Sequence, residues 1–369
     1  MPFTLGICDD LFRDFSVVRF RYSVAHPAPV SLIPRGHLKC CLMAIDWSPL
    51  IEIIRSNDRF VLSSHLRPDA DALGSELGLA CALESLGKSV RIVNPSAASP
   101  NLAFLDPDDR AKRIGDTMTA DEARDTDVHI VVDTCAWSQL QDLGEVIKTT
   151  SAQKVVIDHH VSSDDLGGLV IKDTTAAATG ELIFELAQAL GAEIDEAAAT
   201  ALYCAIATDT GWFRFPSTTS RTMRIVGQLI DAGAKPHVLY SVLYEQHSME
   251  RMRLFGRVLS RMTVDCEGRL AYLTVSRDDF KETGAVPADT EDLVNASLQV
   301  GGTKAAFIAI EQPNQTVKVS FRGRIDTDVA TVAEQFGGGG HKQAAGATLS
   351  GPLAEALAKI LPAMQQAVS

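Results

Sequence analysis

The stretch Val155–His160, VVIDHH, decides how the chain is read. A β-branched apolar run that stops abruptly on Asp158, His159 and His160 is a buried strand whose carboxyl end presents chemistry to a crevice. Upstream, residues 128–134, VHIVVDT, have the same form and end on Asp133. Further upstream, residues 59–65, RFVLSSH, lead into a polar loop bearing His65, Asp69 and Asp71. Three successive strands therefore finish on metal-ligand residue types. In a parallel sheet those ends share one edge, which gathers residues distant in sequence into a single site.

The first of these strands opens a βαβ unit. Leu73, Leu77, Ala80, Cys81 and Leu83 keep helical spacing, Gly87 suits a C-terminal cap, and SVRIV returns as a strand. The connecting loop has neither GxGxxG nor GxxxxGK[ST], so it is not a phosphate-cradling glycine loop. Two alanine-rich helical stretches, ATGELIFELAQALG and EAAATALYCAIATDTG, follow VVIDHH, and the second ends at Asp209. Helical patterns run on from Thr219 to Leu229 and from His237 to Leu259. After about Gly256 the pattern turns to strands, RLAYLTV, AAFIAIEQ and TVKVSFRGR, and then to FGGGGHKQAAGA. The fold expected is α/β: a doubly wound parallel-sheet domain over 43–230, a helical linker over 231–255 and a smaller α/β domain over 256–369. Residues 1–42 have no clear period, include Pro27, Pro29 and Pro34, and are expected to be a tail or an upstream start; Cys40 and Cys41 receive no role.

With 369 residues, 46% hydrophobic and 22% charged, the chain has the composition of a globular protein of two domains. Its net charge of −13 argues against a long nucleic-acid groove, where affinity comes from lysine and arginine neutralising phosphates. Short anionic substrates remain open to it, because divalent cations supply local positive charge. Seven cysteines without a CxxC pair fit a reducing cytoplasm better than a disulfide framework. No stretch approaches the roughly 20 apolar residues of a membrane helix, and Asp9 and Asp10 stand where a secretory signal is basic.

Histidines with several carboxylates suit Mn²⁺ or a similar divalent ion, with Mg²⁺ or Co²⁺ as alternatives, better than a thiolate-rich zinc site. A pair of ions needs a bridging carboxylate, and Asp133 at a central strand end is well placed for it. Two ions roughly 3.5–4 Å apart bind a phosphoryl group, activate water and stabilise the leaving oxygen. The inference is hydrolysis of a phosphoester or phosphoanhydride. Four consecutive glycines in FGGGGHKQAAG imply a close backbone approach, read as substrate binding through amide N–H groups.

Together HLRPDADALGS (65–75), VVDTC (131–135), VIDHH (156–160), ATDTGWFRF (207–215) and GGGGHKQAAGA (337–347) resemble the DHH phosphoesterase superfamily over about 43–369. The ending is most similar to its nano-RNase and pAp-phosphatase branch. The resemblance implies an N-terminal DHH domain, a C-terminal DHH-associated domain and an active site in the cleft between them. It implies that His65 and Asp69 hold one metal ion, that Asp71, His159 and Asp209 hold a second, and that Asp133 bridges. Asp158 supports the ligand shell and His160 contacts the scissile phosphate, so that Asp133, Asp158, His159 and His160 form the catalytic set. Arg322, Gly338, Gly339, Gly340 and His341 grip the terminal nucleotide or phosphate, with Arg324 as the alternative arginine. The first motif reads PDADA where many relatives have PDGDA or PDSDA; Ala70 is small and is not one of the ligands.

The activity so implied is Mn²⁺-dependent release of nucleoside 5′-monophosphates from very short RNA, together with dephosphorylation of 3′-phosphoadenosine 5′-phosphate (pAp). The partners are these substrates, not duplex nucleic acid or membrane, and a homodimer is compatible with the family. The rival enzyme is a cyclic or linear dinucleotide phosphodiesterase. A RecJ-like single-strand exonuclease would need a basic channel, an inorganic pyrophosphatase more lysine and arginine around a small anion, and a silent nucleotide sensor would not need the complete set from His65 to Asp209.

Overall fold

The computed structural model describes residues 45–161, 163–324 and 326–369; the expectation for residues 1–42 lies outside the described residues. The first sheet has six strands: β1 (Arg59–Ser63), β2 (Ser89–Asn94), β3 (Ala111–Arg113), β4 (Val128–Val132), β5 (Gln153–Asp158) and β6 (Leu169–Lys172). Their order is β3-β2-β1-β4-β5-β6, and every pairing is parallel. β4 and Val155–Asp158 of β5 are buried, as unbroken apolar runs covered on both faces must be. The strand order reverses between β1 and β4, so the chain leaves their carboxyl ends in opposite directions and opens a crevice there. His65 and Asp133 follow those two strands. The edge strands β3 and β6, three and four residues long, had no signal in the sequence, because so short a segment shows no period.

Two helices cross behind that crevice at unusually close range. A Cβ on Gly74 in helix Ala70–Ser85 would lie 2.4 Å from the carbonyl oxygen of Ala201 in helix Glu196–Asp209, and one on Gly78 would lie 2.5 Å from Leu202. Helix Thr179–Leu190 joins them through Gly180, whose Cβ would meet Ala205 at 2.8 Å, and it ends on Gly191 in the left-handed conformation. Ala205 and Leu202 are fully buried. The alanine-rich composition of these helices is thus a packing requirement.

The single helical pattern expected over His237–Leu259 is broken. Helix Pro236–Tyr244 ends at Glu245, and a new helix, Met249–Leu259, begins under the cap of Ser248, whose hydroxyl accepts from the Arg251 amide at 3.1 Å. A serine able to take an orphan amide at a helix start stops a pattern whose apolar spacing alone would continue.

The second sheet contains β7 (Thr263–Asp265), β8 (Leu270–Val275), β9 (Ala305–Glu311), β10 (Thr316–Gly323), β11 (Gly339–His341) and β12 (Ala344–Ser350), in the order β11-β12-β10-β9-β8-β7. Only β8 and β9 pair in parallel. Alternation along β9 and β10 divides its two cores: Phe307, Val319 and Phe321 pack with Ile360 and Met364 of helix Leu353–Ala367, while Ile308 and Ile310 pack with Leu254, Val258 and Leu293. Among the described residues no helix is long and apolar enough to cross a membrane.

Two expectations follow from this packing. Gly74→Val forces the helix pair apart and lowers stability by about 1–3 kcal/mol, whereas Gly227→Ala, where an added Cβ meets nothing within 4 Å, raises it by about 0.5–1 kcal/mol; urea unfolding of the two variants gives opposite shifts in midpoint. His129, buried in β4, shares a 2.8 Å hydrogen bond with the Ser63 hydroxyl through Nε2. Burial, reinforced by Lys154, depresses its pKa to about 3. The unfolded chain therefore binds a proton here that the folded one does not, and stability falls as pH drops below about 6.5, by up to about 1.4 kcal/mol per unit. His129→Gln flattens that slope between about pH 6.5 and pH 5 in unfolding titrations.

Candidate metal centre

Each strand end delivers its residue with a defined orientation. After β1, the Ser64 amide and hydroxyl both donate to Asn94 Oδ1, at 2.8 and 3.1 Å, and Asn94 Nδ2 donates to the buried Glu76 at 2.8 Å. The Leu66 amide donates to the Gln139 carbonyl at 2.7 Å, which ties this loop to the first turn of helix Trp137–Thr149, the helix that follows β4. His65 Nδ1 lies 3.0 Å from the Leu66 carbonyl, which leaves Nε2 aimed at Asp133 Oδ2 (3.4 Å) and Asp69 Oδ1 (3.8 Å). A ring with one nitrogen on a carbonyl and the other on carboxylates is the usual arrangement of a metal-binding histidine.

Asp69 caps helix Ala70–Ser85, its Oδ1 accepting from the Asp71 and Ala72 amides at 3.0 and 3.1 Å. Asp71, in the first turn, accepts from the Thr179 amide at Oδ2 (2.8 Å) and the Gly180 amide at Oδ1 (2.9 Å). Asp133 adopts a left-handed φ of 61°, an unfavourable conformation for a residue with a side chain. Its amide donates to the Ile157 carbonyl at 2.9 Å, and its Oδ1 accepts from the Thr179 hydroxyl at 2.8 Å.

His159 Nδ1 faces the Ala176 carbonyl at 3.3 Å, while Nε2 points to Asp133 Oδ1 (3.6 Å), Asp209 Oδ2 (3.7 Å) and Asp71 Oδ2 (3.8 Å). Three overlapping groups therefore present ligand atoms within 4.8 Å of one another: His65, Asp69 and Asp133; Asp71, His159 and Asp209; and Asp133, His159 and His160. Asp133 lies between the first two groups, with Oδ2 toward His65 and Oδ1 toward His159.

The carboxylates resist ionising together. Burial raises Asp71, with His159 opposing and Asp69 adding to the rise. Burial and then the charge of Asp71 hold Asp133 well above the carboxylate range and push Asp209 to about 7. For His65, burial is outweighed by Asp133 and Asp69, and its pKa is lifted to about 11. Oxygen and imidazole donors crowded in this way fit divalent cations, whose charge removes the repulsion.

Asp158 and His160 form a pair at the margin of this network. Asp158 Oδ1 accepts from the His160 amide at 3.1 Å and lies 2.8 Å from its Nδ1, while Oδ2 lies 3.3 Å from Lys172 Nζ. The Asp158 carboxylate first, opposed by burial and helped by Asp133, lifts His160 to about 9. The half-exposed ring keeps Nε2 free of that pair.

The structure thus joins His65, Asp69, Asp71, Asp133, Asp158, His159, His160 and Asp209 in one network. Arg322, Arg324 and Gly338–His341 stand on the second sheet, outside it. Arg322 lines a groove of about 390 Å³ with Lys318 and Ser320, its neighbours on the same face of β10, and with Glu291 and Asp292. Arg324 instead donates to the carbonyls of Thr303 and Leu298, both at 2.7 Å, and so braces a loop. The glycine run has a packing cause that the sequence did not disclose. A Cβ on Gly338 would lie 2.1 Å from the Gly346 carbonyl oxygen, and one on Gly340, at φ +145°, 2.5 Å from that of Ala344. Gly337, at φ +70°, and Gly339 have open space beside them; His341 is exposed. Thr179, Gly180, Asn94 and Glu76 were missed. Threonine and glycine at a helix start read as a cap, and the one available signal was an acidic residue, Glu76, within an apolar helix.

Residues 59–206 match the model of the DHH family, N-terminal domain, and residues 267–369 match the DHHA1 domain. The chain is 29% identical over 303 residues to the bifunctional oligoribonuclease and PAP phosphatase NrnA of Bacillus subtilis, covering 81% of this chain and 92% of that protein. It is 31% identical over 314 residues to the protein of the same name from Thermus thermophilus, covering 83% and 89%. The solved structure of an exopolyphosphatase-related protein from Bacteroides fragilis matches with a TM-score of 0.80 at 26% identity, covering 88% of this chain and 97% of that one.

Asp158→Asn removes the charge that holds His160 protonated. In a metal-free NMR titration the His160 ring is expected to move from about 9 back toward the ordinary histidine range, while His65, held by other carboxylates, keeps its raised value.

Proposed function

The chain belongs to the DHH phosphoesterase family and is a hydrolase of phosphoester bonds, and we propose that it acts on very short RNA, releasing nucleoside 5′-monophosphates, and on pAp, releasing AMP. The observation that carries the reading is the placing of Asp133 between two ligand groups, one oxygen toward each. The names of the Bacillus subtilis and Thermus thermophilus relatives support the substrate class. In this reading His65 and Asp69 serve one divalent ion, Asp71, His159 and Asp209 the other, and Asp133 both. The ions, with Mn²⁺ best suited to the mixed imidazole and carboxylate donors, supply charge at the phosphoryl oxygens and activate water when bound.

The chain's own residues do the rest. His160, held protonated by Asp158, donates from Nε2 to a phosphoryl oxygen and stabilises the charge that grows there during displacement. Asp158 fixes the direction of that ring and, paired with Lys172, keeps its own charge. Arg322 and Lys318, on the same face of β10 with Ser320 between them, offer cations for a terminal phosphate or nucleotide, and His341 with the open Gly339 offers a second contact. Because the net charge is −13, substrates of a few nucleotides are favoured over long strands. The same reading places the protein in the cytoplasm and admits a homodimer.

Product release is measured from equal concentrations of pAp, a linear RNA dinucleotide, a long single-stranded RNA and a cyclic dinucleotide, each with Mn²⁺ and with EDTA. Turnover of pAp and the linear dinucleotide alone, lost in EDTA, is the expected result. Preference for the long strand or the cyclic dinucleotide assigns the chain to another activity within the family, and no turnover of any substrate removes the reading. In the same assay Asp133→Ala is expected to lose more than about 100-fold, since changes in the outer shell of a metal site alone cost 10–100-fold; full activity in that variant excludes the role given to Asp133.

A further inference from the structure

One segment, Ala176–Gly180, touches three of the proposed ligands, though none of its own residues is a ligand. The Ala176 carbonyl faces His159 Nδ1 at 3.3 Å. The amides of Thr179 and Gly180 donate to the two oxygens of Asp71 at 2.8 and 2.9 Å. The Thr179 hydroxyl donates to Asp133 Oδ1 at 2.8 Å. Thr179 is fully buried, so its hydroxyl has no competing water, and it is the first residue of helix Thr179–Leu190, whose leading amides have no partner within the helix. The segment is itself anchored: the Ala177 amide donates to the buried Glu181 at 3.1 Å, and Gly180 packs on Ala205.

We propose that the Thr179 side chain is a positioning group that sets the orientation of Asp133, beside an Asp71 held by the backbone amides of Thr179 and Gly180, and through Asp133 the affinity and spacing of the two metal ions. This rests on the two-ion reading above. The Thr179 amide holds Oδ2 of Asp71, and the Gly180 amide with the Ser75 hydroxyl (3.2 Å) holds Oδ1, so both oxygens are fixed. The hydroxyl occupies one lone pair of Asp133 Oδ1, leaving the other toward His159 and all of Oδ2 toward His65. A carboxylate held in this way would present its two oxygens to two ions in one fixed orientation. The left-handed backbone of Asp133 supplies the direction of the side chain, and Thr179 supplies its rotation about the last bond.

The test is Thr179→Val, which keeps the shape and the backbone amide but loses the hydroxyl, beside Thr179→Ala, which loses both hydroxyl and bulk, and Thr179→Ser, which keeps the hydroxyl. Mn²⁺ affinity is measured by calorimetry without substrate, and the magnetic coupling of the loaded pair by electron paramagnetic resonance. Val and Ala are expected to weaken Mn²⁺ binding by about 10–100-fold and to change the coupling, Ser to stay close to the unmodified protein in both, and excess Mn²⁺ to recover part of kcat in Val and Ala. If Val fails to fold by circular dichroism, Ala carries the comparison. Unchanged Mn²⁺ affinity and coupling in the folded Val or Ala protein overturns the role of Thr179 while leaving the two-ion reading intact. Failure of the unmodified protein to bind Mn²⁺ overturns both.

Discussion

Three buried or half-buried aspartates, Asp71, Asp133 and Asp209, share one cavity at the edge of a parallel sheet, and their mutual repulsion is the constraint around which the N-terminal half is built. Burial alone favours neutral carboxyls, and each neighbour strengthens that preference. The fold works against it with local donors: two helix amides and the Ser75 hydroxyl on Asp71, a threonine hydroxyl on Asp133, and the His65 imidazole facing Asp133. These donors orient the oxygens, and divalent cations would remove the repulsion that remains.

Holding such a cluster requires rigid walls. The strands provide one wall, since neighbouring β1, β4 and β5 end within one residue of each other's register. The close pair of helices provides another. Asp71 stands in the first turn of one helix and Asp209 at the last residue of the other, so the approach at Gly74 and Gly78 fixes how far apart these two carboxylates lie. A larger residue at either glycine would move a candidate ligand as well as a helix. Glycine here is a geometric setting of the site.

Much of this was legible in the sequence for a definite reason. Buried parallel strands are written as continuous apolar runs, and their ends are marked by the first polar residues, so Asp133 and Asp158–His160 announced themselves. Helices lined with alanine and glycine were equally plain. What stayed hidden was information held in pairs of distant residues. Nothing local in Thr179 says that its hydroxyl meets Asp133, and nothing in Asn94 says that it links Ser64 to Glu76. Within the glycine run at 337–340, Gly338 and Gly340 make the close approach that the sequence suggested, and the neighbour they meet is the backbone of β12. A close approach to a ligand and one to a strand look the same in sequence, because both require only the absence of a Cβ. The break at Glu245–Ser248 was hidden for the opposite reason: apolar spacing outvoted a single capping serine.

The triplet at the end of β5 shows how one short motif divides its labour. Successive residues at a strand end point to alternate sides. Asp158, still in the strand and fully buried, turns toward Lys172 and the His160 ring. His159 turns into the acidic cavity, and His160 is half exposed beside it, its ring edge-on to that of His159 with centroids 4.5 Å apart. The two histidines thus experience different fields although they are adjacent. His159 faces three aspartates across distances suited to an intervening ion, whereas His160 touches one carboxylate directly and is held protonated by it. By placing Asp158 against the second ring alone, the strand end gives two consecutive histidines different partners.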